Sequence, residues 1–217
     1  MPDATTPPSG FAATSTPSGF AATSTPGGFA ATSMTGGFAD APVASARAFR
    51  AFLNAMARPG TIYTVDGAQP PAPLSVAAGV AILTLADGTT PMHLAGAADC
   101  KAVRDWITFH TGAPLVGAGD AVFALGTWAD LAPVSRFAIG TDQYPDRAAT
   151  LIVEVLTLAA TGHRLTGPGI QTDALLSLPE TAAFQTNHAL FPLGFDTILT
   201  CGTQVAGLPR SIEVEEI

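Results

Sequence analysis

The strongest constraint on the fold is a long apolar segment in the first half of the chain. Residues 74 to 86 carry no charge, and Pro73 suits the first turn of a helix. A helix that is apolar nearly all round cannot lie on a surface, so it must be buried among other elements. The apolar run of residues 76 to 86 has eleven residues, whereas a bilayer span needs roughly 18 or more. The segment therefore predicts the core helix of a layered domain.

The remaining pattern mixes helices with short strands. The predicted helices cover residues 42–58, 74–86, 99–109 and 179–190, with Asp99 as the N-cap of the third. The predicted strands cover residues 61–65, 92–95, 121–125, 150–158, 196–201 and 205–208. Gly162 is expected to turn the 150–158 strand back into a partner that ends at Thr166. Some strands are too close in sequence for a crossover helix, so we expect an α/β fold, a single-domain sandwich with a mixed β-sheet flanked by helices.

The first predicted helix carries an apolar stripe and a cationic side. The stripe has spacings of three, four and three and consists of Ala46, Phe49, Leu53 and Met56. The opposite side holds three of the nine basic residues, Arg47, Arg50 and Arg58. Guanidinium groups suit phosphate or carboxylate recognition. An ordinary solvated face, with Arg58 complementing the helix C-terminus, explains the same pattern.

Candidate partners for these arginines are acids that border apolar segments. Asp87 and Asp196 both fit this description, although each could equally cap a helix or strand end. His110 falls at a predicted helix terminus, where backbone carbonyls favour the protonated imidazole. We name Arg50 and His110 as candidate ligand- or interface-contacting residues, with Asp87, Thr111 and Asp196 ranked below them. No catalytic residue is assigned.

The first forty residues differ from the rest of the chain. The motif Gly-Phe-Ala begins at residues 10, 19, 28 and 37, a nine-residue period. One phenylalanine in nine residues, among Pro, Gly, Ser and Thr, cannot bury enough apolar area to offset the entropy of the chain. We therefore expect residues 1–40 to form a disordered tail and residues 41–217 to form the α/β domain.

Charge and cysteine content exclude several functional classes. Nine Lys and Arg stand against 17 Asp and Glu, for a net charge of −8. Nucleic-acid surfaces and polybasic membrane anchors need clustered positive charge, so we expect neither nucleic acid nor a membrane as partner. Cys100 and Cys201 form neither a disulfide framework nor a metal motif. The N-terminus lacks the features of a secretory signal, which predicts a cytoplasmic protein.

Familiar catalytic motifs are missing from the sequence. The segment 167–169, Gly-Pro-Gly, has neither the third glycine of G-x-G-x-x-G nor the Lys-Ser/Thr of a P-loop, and is interpreted as a rigid turn. Neither G-x-S-x-G nor H-E-x-x-H occurs. The sequence therefore argues against the common hydrolase classes.

Seven short strings, in order along residues 37 to 217, resemble those of one known family. They are FRAFLNAMARPG at 49–60, LTLADGTTP at 83–91, FHTGAPLV at 109–116, YPDRAATLI at 144–152, RLTGPGI at 164–170, FPLGFDTILTCG at 191–202 and PR at 209–210. They are similar to the H subunit of the carbon-phosphorus lyase system, the PhnH family.

This resemblance implies a subunit of a cytoplasmic bacterial assembly that degrades alkylphosphonates. In that family, the protein acts with G, I and L subunits to join methylphosphonate to the ribose C1 of ATP. Adenine leaves, and alpha-D-ribose 1-methylphosphonate 5-triphosphate is formed. A J subunit then breaks the C–P bond. The resemblance also implies a homodimer that joins a larger complex, with ATP and Mg²⁺ as substrate and ion of the assembled system.

The family fold resembles that of pyridoxal-phosphate transferases, yet we expect this chain to bind no cofactor and no metal. A pyridoxal-phosphate enzyme needs a lysine for its Schiff base. Lys101 is the only lysine of the sequence. It lies outside every family-like string and is interpreted as a solvated helix residue.

Three functional hypotheses follow from the sequence. The first is a non-autonomous subunit of the phosphonate-to-nucleotide transferase, inactive alone, with a site completed by partner chains. The second is a self-sufficient small-molecule enzyme in which Arg50, His110 and Asp87 converge in one pocket. The third is a purely structural subunit, in which substitutions at these residues change assembly alone.

Overall fold

The computed structural model describes residues 35 to 217. The predicted disordered tail therefore lies outside the described residues, apart from residues 35–40. Those residues belong to the domain, because the Gln69 amide donates to the Gly36 carbonyl at 2.8 Å and Phe38 packs against the core. The domain thus begins before residue 41, the boundary predicted from composition.

The described chain contains five α-helices and nine strands, with α-helices and strands alternating up to the strand Thr150–Glu154. The α-helices are α1 (Ala41–Ala57), α2 (Val76–Leu85), α3 (Lys101–Thr111), α4 (Trp128–Leu131) and α5 (Ala182–Ala189). The strands are β1 (Tyr63–Thr64), β2 (Met92–Leu94), β3 (Phe123–Thr127), β4 (Thr150–Glu154), β5 (His163–Thr166), β6 (Ala174–Leu176), β7 (Asp196–Cys201), β8 (Gln204–Leu208) and β9 (Glu213–Glu216).

The main sheet is mixed, as predicted. Its strand order is β1-β8-β7-β4-β3-β2. The neighbours β2, β3, β4 and β7 are parallel, whereas β8 and β1 complete the sheet in antiparallel fashion. The parallel strands are connected through helices, and β7 and β8 form the predicted hairpin around Gly202.

A second, smaller sheet corrects one prediction. The strand β5 does not return along β4; it pairs with β6 and β9 in an antiparallel sheet of order β6-β5-β9. The reason is that β4 already has β3 on one edge and β7 on the other, so no edge remains for a hairpin partner. The strands β6 and β9 were not predicted.

The core has two layers, one on each face of the main sheet. Leu125, Ile152 and Ile198 point into a cluster that includes buried residues of α1, α2 and α3. Leu151 and Leu199, their neighbours along the strands, point into a cluster with α4, α5 and the small sheet. This alternation is the period-2 geometry of strands buried on both faces.

Helix α2 is buried as its composition predicts, but it begins later than Pro73. Residues 77 to 82 are all buried, and α2 contacts both α1 and α3. Its N-cap is Ser75, whose hydroxyl accepts a hydrogen bond from the Ala78 amide at 3.1 Å. No helix among residues 35–217 is both long and apolar enough to cross a bilayer.

Helix α3 corrects the predicted Asp99 cap. Cys100 occupies the N-cap position and makes no capping bond with its side chain. The Asp99 carboxylate instead receives the Arg104 guanidinium in a salt bridge, and this bond lowers the pKa of Asp99. A nearby cation thus competes successfully for the carboxylate that could have capped the helix.

Candidate functional site

Helix α1 packs against the rest of the domain through a different apolar row from the stripe that the sequence spacing identified. Ala48, Phe52 and Ala55 are buried, at 5%, 3% and 1% exposure. The contact with β8 is very close, because a Cβ added at Gly207 would lie 2.7 Å from the Ala55 carbonyl carbon and oxygen. The glycine on β8 is therefore what lets the helix backbone lie directly on the sheet.

The stripe found by spacing faces solvent instead. Phe49 is 52% exposed and Leu53 is 57% exposed, and Ala46 is exposed as well. Met56, the fourth member, is half-buried. Both rows are apolar at helical spacing, so periodicity could not decide between them. The result is an apolar row on the outside of the domain.

Two arginines lie next to this exposed row, so the prediction that the cations occupy the side opposite the stripe is wrong. Arg47 and Arg50 are exposed and line a shallow groove of about 450 Å³ together with Pro42, Val43 and Ala46. Arg58 is also exposed and holds the C-cap position of α1, where its backbone amide donates to the Asn54 carbonyl. We call the exposed residues Val43, Ala46, Arg47, Phe49, Arg50 and Leu53 the α1 face.

The other basic residues of the chain are engaged within the domain. Lys101, Arg104, Arg164 and Arg210 form salt bridges with Asp105, Asp99, Glu215 and Asp196. The Arg136 guanidinium donates to the Asp130 carbonyl, and the Arg147 guanidinium lies 4.2 Å from the Tyr144 ring centroid. Within residues 35–217, Arg47, Arg50 and Arg58 are therefore the basic side chains that bind no carboxylate, carbonyl or aromatic ring.

His110 lines a different cavity from Arg50. It lies in the last turn of α3, with its ring centroid 5.1 Å from that of Trp106 and 5.0 Å from that of Phe109. The cavity, about 350 Å³, is bounded by residues 35–38, Ala41 and Leu83. A Cβ at Gly37 would lie 2.6 Å from the imidazole. His110 therefore secures the segment that leads into α1.

Asp87 and Thr111 are both used by local structure. The Asp87 carboxylate accepts hydrogen bonds from the Thr89 amide at 2.8 Å and from the hydroxyls of Thr89 and Thr90. These bonds, led by the Thr89 hydroxyl, lower the pKa of Asp87. The Thr111 hydroxyl donates to the Ile107 carbonyl and accepts from the Ala113 amide. Both residues thus shape chain turns after α2 and α3.

Asp196 pairs with an arginine, but not with one from α1. The Arg210 guanidinium grips its carboxylate with two bonds, at 2.6 and 3.1 Å, and donates a third to the Pro145 carbonyl at 2.8 Å. The side chains are 12% and 23% exposed. The predicted pairing of Asp87 or Asp196 with the helix arginines is therefore wrong, since each acid finds a partner nearer its own element. This cluster fixes the start of β7.

Glu154 is a group that the sequence reasoning missed. It ends β4, in the middle of the parallel strands, and is half-buried. Its carboxylate accepts from the Ser75 amide at 2.7 Å and from the Thr200 hydroxyl at 3.1 Å. Burial raises the pKa of Glu154, although these bonds oppose the shift. An acid directly after a β-branched run was the available signal, and the structure shows that it fastens α2 to the sheet.

An apolar cavity of about 320 Å³ lies between α5 and the segment after α4. Trp128, on one wall, stacks on Phe184 with ring centroids 4.8 Å apart. The polar side chains of the wall are used locally: the Asn187 amide group bonds both backbone groups of Phe195, and Glu180 accepts from the Ala183 amide. The cavity offers shape and apolar surface, and no acid–base pair.

The geometry does not bring Arg50, His110 and Asp87 into one pocket. Arg50 lines the groove on the α1 face, His110 lines the cavity beside residues 35–38, and Asp87 bonds within its own turn. The segment 167–169 is a turn, as interpreted, with Gly169 against the Ala57 carbonyl. Within residues 35–217, no group of three or more His, Cys, Asp or Glu side chains is arranged to hold a metal ion. What the structure does present is the α1 face.

Comparisons with known proteins agree with the family suggested by the sequence strings. Residues 36–215 match the family described as "Bacterial phosphonate metabolism protein (PhnH)". One relative, "Alpha-D-ribose 1-methylphosphonate 5-triphosphate synthase subunit PhnH" of Rhizobium meliloti (strain 1021), is 39% identical over 187 residues, which cover 80% of this chain and 92% of that protein. Another, "Putative C-P lyase subunit protein HtxG" of Stutzerimonas stutzeri, is 29% identical over 178 residues, covering 77% and 84%.

The family match spans nearly the whole described domain, from the segment that enters α1 to β9. It includes every element that forms the α1 face and its support on β8. The chain belongs to the PhnH family of bacterial phosphonate metabolism proteins.

Proposed function

We propose that this protein is a non-autonomous subunit of alpha-D-ribose 1-methylphosphonate 5-triphosphate synthase in a carbon-phosphorus lyase system. With partner subunits, it takes part in the transfer of the ribose triphosphate moiety of ATP onto methylphosphonate, with release of adenine. The name of the Rhizobium relative supports this reaction, and "subunit" in both relatives' names supports action within a complex.

The distribution of cations carries the non-autonomous part of the proposal. A triphosphate has about four negative charges, which a transferase must hold with cations or Mg²⁺. Within residues 35–217, the basic side chains other than those of α1 and Arg58 already bind carboxylates, carbonyls or aromatic rings. The arginines of α1 line only a shallow, open groove beside exposed apolar residues. Other chains must therefore supply much of a triphosphate site.

The partners we propose are the G, I, J and L types of subunit, with a homodimer of this chain inside the complex. The family-like strings support these partners. We also propose the cytoplasm as the compartment, because ATP is the substrate of the proposed reaction. ATP and Mg²⁺ enter as substrate and ion of the assembled system.

Pyridoxal phosphate does not fit this chain, although the fold likeness drawn from the sequence would suggest it. Lys101 extends from the solvent side of α3, where its side chain is 88% exposed and bridges to Asp105. A Schiff-base lysine has to face an enclosed cofactor pocket. We therefore propose that this chain binds no such cofactor, and the likeness to the transferase fold itself stays a prediction.

The test is adenine release from ATP and methylphosphonate in a mixture of purified subunits. The protein alone, and the G, I and L partners without it, should release adenine at background rates. The complete mixture should release it at a rate well above both. Release by this protein alone, at a rate comparable to that of the full mixture, would show that it is a self-sufficient enzyme.

A control variant shows whether loss of an exposed charge by itself changes the rate of adenine release. Lys101→Ala removes an exposed charge on α3 and should support the same rate as the unmodified protein. If the complete mixture works equally well without this chain, the proposed role in the synthase is wrong.

A further inference from the structure

We infer that the α1 face is a docking surface for a different protein chain, one that presents apolar side chains bordered by carboxylates. This inference rests on the proposed function in one respect: the complex it assigns must contain another chain.

Three exposed apolar side chains of the α1 face lie in one row. Residues 46, 49 and 53 are separated by three and four positions, so they form one row along the helix. Arg50 lies between this row and Arg47, because it is four residues after Ala46 and three before Leu53. Phe49 and Leu53 each leave about half of their surface in water. Exposed aromatic and arginine side chains side by side are typical of the energetically important part of protein interfaces.

The charge of helix α1 differs from that of the rest of the chain. Helix α1, Ala41–Ala57, contains two arginines and no Asp or Glu, in a chain of net charge −8. Its N-cap Asp40 is turned toward the helix, where it accepts from the Val43 amide. The α1 face is therefore a local positive surface on an acidic protein. A partner with carboxylates around an apolar centre would meet both features at once.

The same charge argues against a second copy of this chain as the occupant. A two-fold dimer through this face would place α1 against α1. Each copy would bring two arginines and no carboxylate from its helix, so a contact of α1 with α1 lacks the opposite charges that would complement them. A homodimer of this protein therefore needs another surface. A free nucleotide is also a poor occupant, because its base could stack on Phe49 but would leave the rest of the apolar row uncovered.

The experiment measures binding of the full-length protein to each purified partner subunit of the proposed complex. Two double variants remove the two features separately: Phe49→Ser with Leu53→Ser, and Arg47→Glu with Arg50→Glu. Each should weaken binding to one partner by about tenfold or more. Binding of the unmodified protein should also weaken as salt is raised, since the arginines are exposed.

Controls on other surfaces have the same chemistry. Leu156→Ser changes a leucine that is 102% exposed, and Lys101→Glu reverses an exposed charge on α3. Both should bind within about twofold of the unmodified protein. Circular dichroism and thermal midpoints should show that all four variants are folded. A partner Asp→Lys or Glu→Lys variant that restores binding to the arginine-reversed protein would identify the facing carboxylate.

Each contrary result has a separate meaning. If both double variants bind every partner like the controls, the inference is wrong and the proposed function stands. If they instead convert a dimer of the protein alone into a monomer, the occupant is a second copy and the inference is wrong. If the unmodified protein binds none of the partners, the proposed function fails and the inference fails with it.

Discussion

The two sides of α1 are made of similar residues and do different things. On one side, Ala48, Phe52 and Ala55 are buried against β8 and α2. On the other, Ala46, Phe49 and Leu53 face solvent beside Arg47 and Arg50. An alanine and phenylalanine row stabilises the fold in the first case and is left uncovered in the second. The comparison teaches that an apolar row at helical spacing does not by itself show whether the row is buried within the fold.

Truncating the buried side should have the largest effect on stability. Phe52→Ala removes a side chain that is 3% exposed from the layer between α1 and the sheet. We expect the free energy of unfolding to fall by about 3–5 kcal/mol, since the remaining cavity cannot fully close. Urea denaturation measures this. Phe49→Ala, the matched change on the solvent side, should cost far less, and equal losses would show that Phe49 is buried in solution.

The close approach of α1 to β8 should be the next most sensitive point. Gly207→Ala places a methyl group 2.7 Å from the Ala55 backbone and from the Met56 sulfur. The helix must then move off the strand, at an expected cost of about 1–3 kcal/mol. Gly117→Ala, where an added Cβ meets nothing within 4 Å, is the control. A Gly207→Ala protein as stable as the control would mean that the helix moves freely over the sheet.

The half-buried carboxyl of Glu154, at the end of β4, should make the stability of the protein depend on pH, whereas the exposed arginines of the α1 face should not. Burial raises the pKa of Glu154 above its usual value of 4.5, so the fold favours the protonated form. The stabilisation from Glu154 is full below pH 4.5 and is lost as pH rises through the raised pKa. Glu154→Gln keeps an acceptor for the Ser75 amide and offers a donor to the Thr200 hydroxyl.

We therefore expect the free energy of unfolding of Glu154→Gln to rise, relative to the unmodified protein, as pH increases from 4.5 toward 7. The effect should be smaller than that of Gly207→Ala. Denaturation midpoints at a series of pH values test it. Arg50→Ala is the comparison on the α1 face and should show no such trend; a pH-independent difference for Glu154→Gln would contradict the raised pKa.

Polar substitutions on the α1 face should barely change stability. Phe49→Ser with Leu53→Ser alters side chains that are already about half exposed. We expect changes within about 0.5 kcal/mol per site, as for other surface positions. A thermal melt compares this variant with Leu156→Ser. A loss of several kcal/mol would show that residues of the same chain cover the α1 face.

Single arginine changes should have the smallest effect on folding and a graded effect on function. Arg50 lies next to the apolar row, whereas Arg47 lies one row further away. Arg50→Ala should therefore reduce adenine release by the complete mixture by several-fold, and more than Arg47→Ala does. Adding excess variant protein should restore part of the rate, because the defect lies in docking. Equal and negligible effects of both changes would favour an ordinary solvated face.

The prediction of elements succeeded where a segment determines its own structure and failed where neighbours compete. The β-branched run that forms β4 and the apolar run of α2 were both identified from composition. The N-cap of α3 was misplaced because Arg104 takes the Asp99 carboxylate. The strand after Gly162 was identified, but its partners were not, because the edges of β4 are occupied by strands that lie far away in sequence.

The candidate site was predicted in part. The sequence singled out Arg50 and an apolar stripe on α1, but it predicted that they lie on opposite sides of the helix. The structure shows that they lie side by side on one exposed face. The sequence could not predict that Asp87 and Thr111 are used in turns or that Asp196 binds Arg210, since these depend on hydrogen-bond partners brought near by folding. Glu154 was overlooked because its burial arises from α2 covering the end of β4.

The sequence by itself determined the family, the mixed α/β class and one apolar stripe on α1. These follow from residue order, local periodicity and composition, which are short-range properties of the chain. Only the tertiary structure decided which row is buried. Contacts between distant segments determine the second sheet, the Asp196–Arg210 pair and the side of α1 that meets β8. Gly207 leaves the space on β8 that the backbone of α1 occupies. Burial of either apolar row would be favourable, because the hydrophobic effect has no direction. The close packing between helix and sheet decides which row fits.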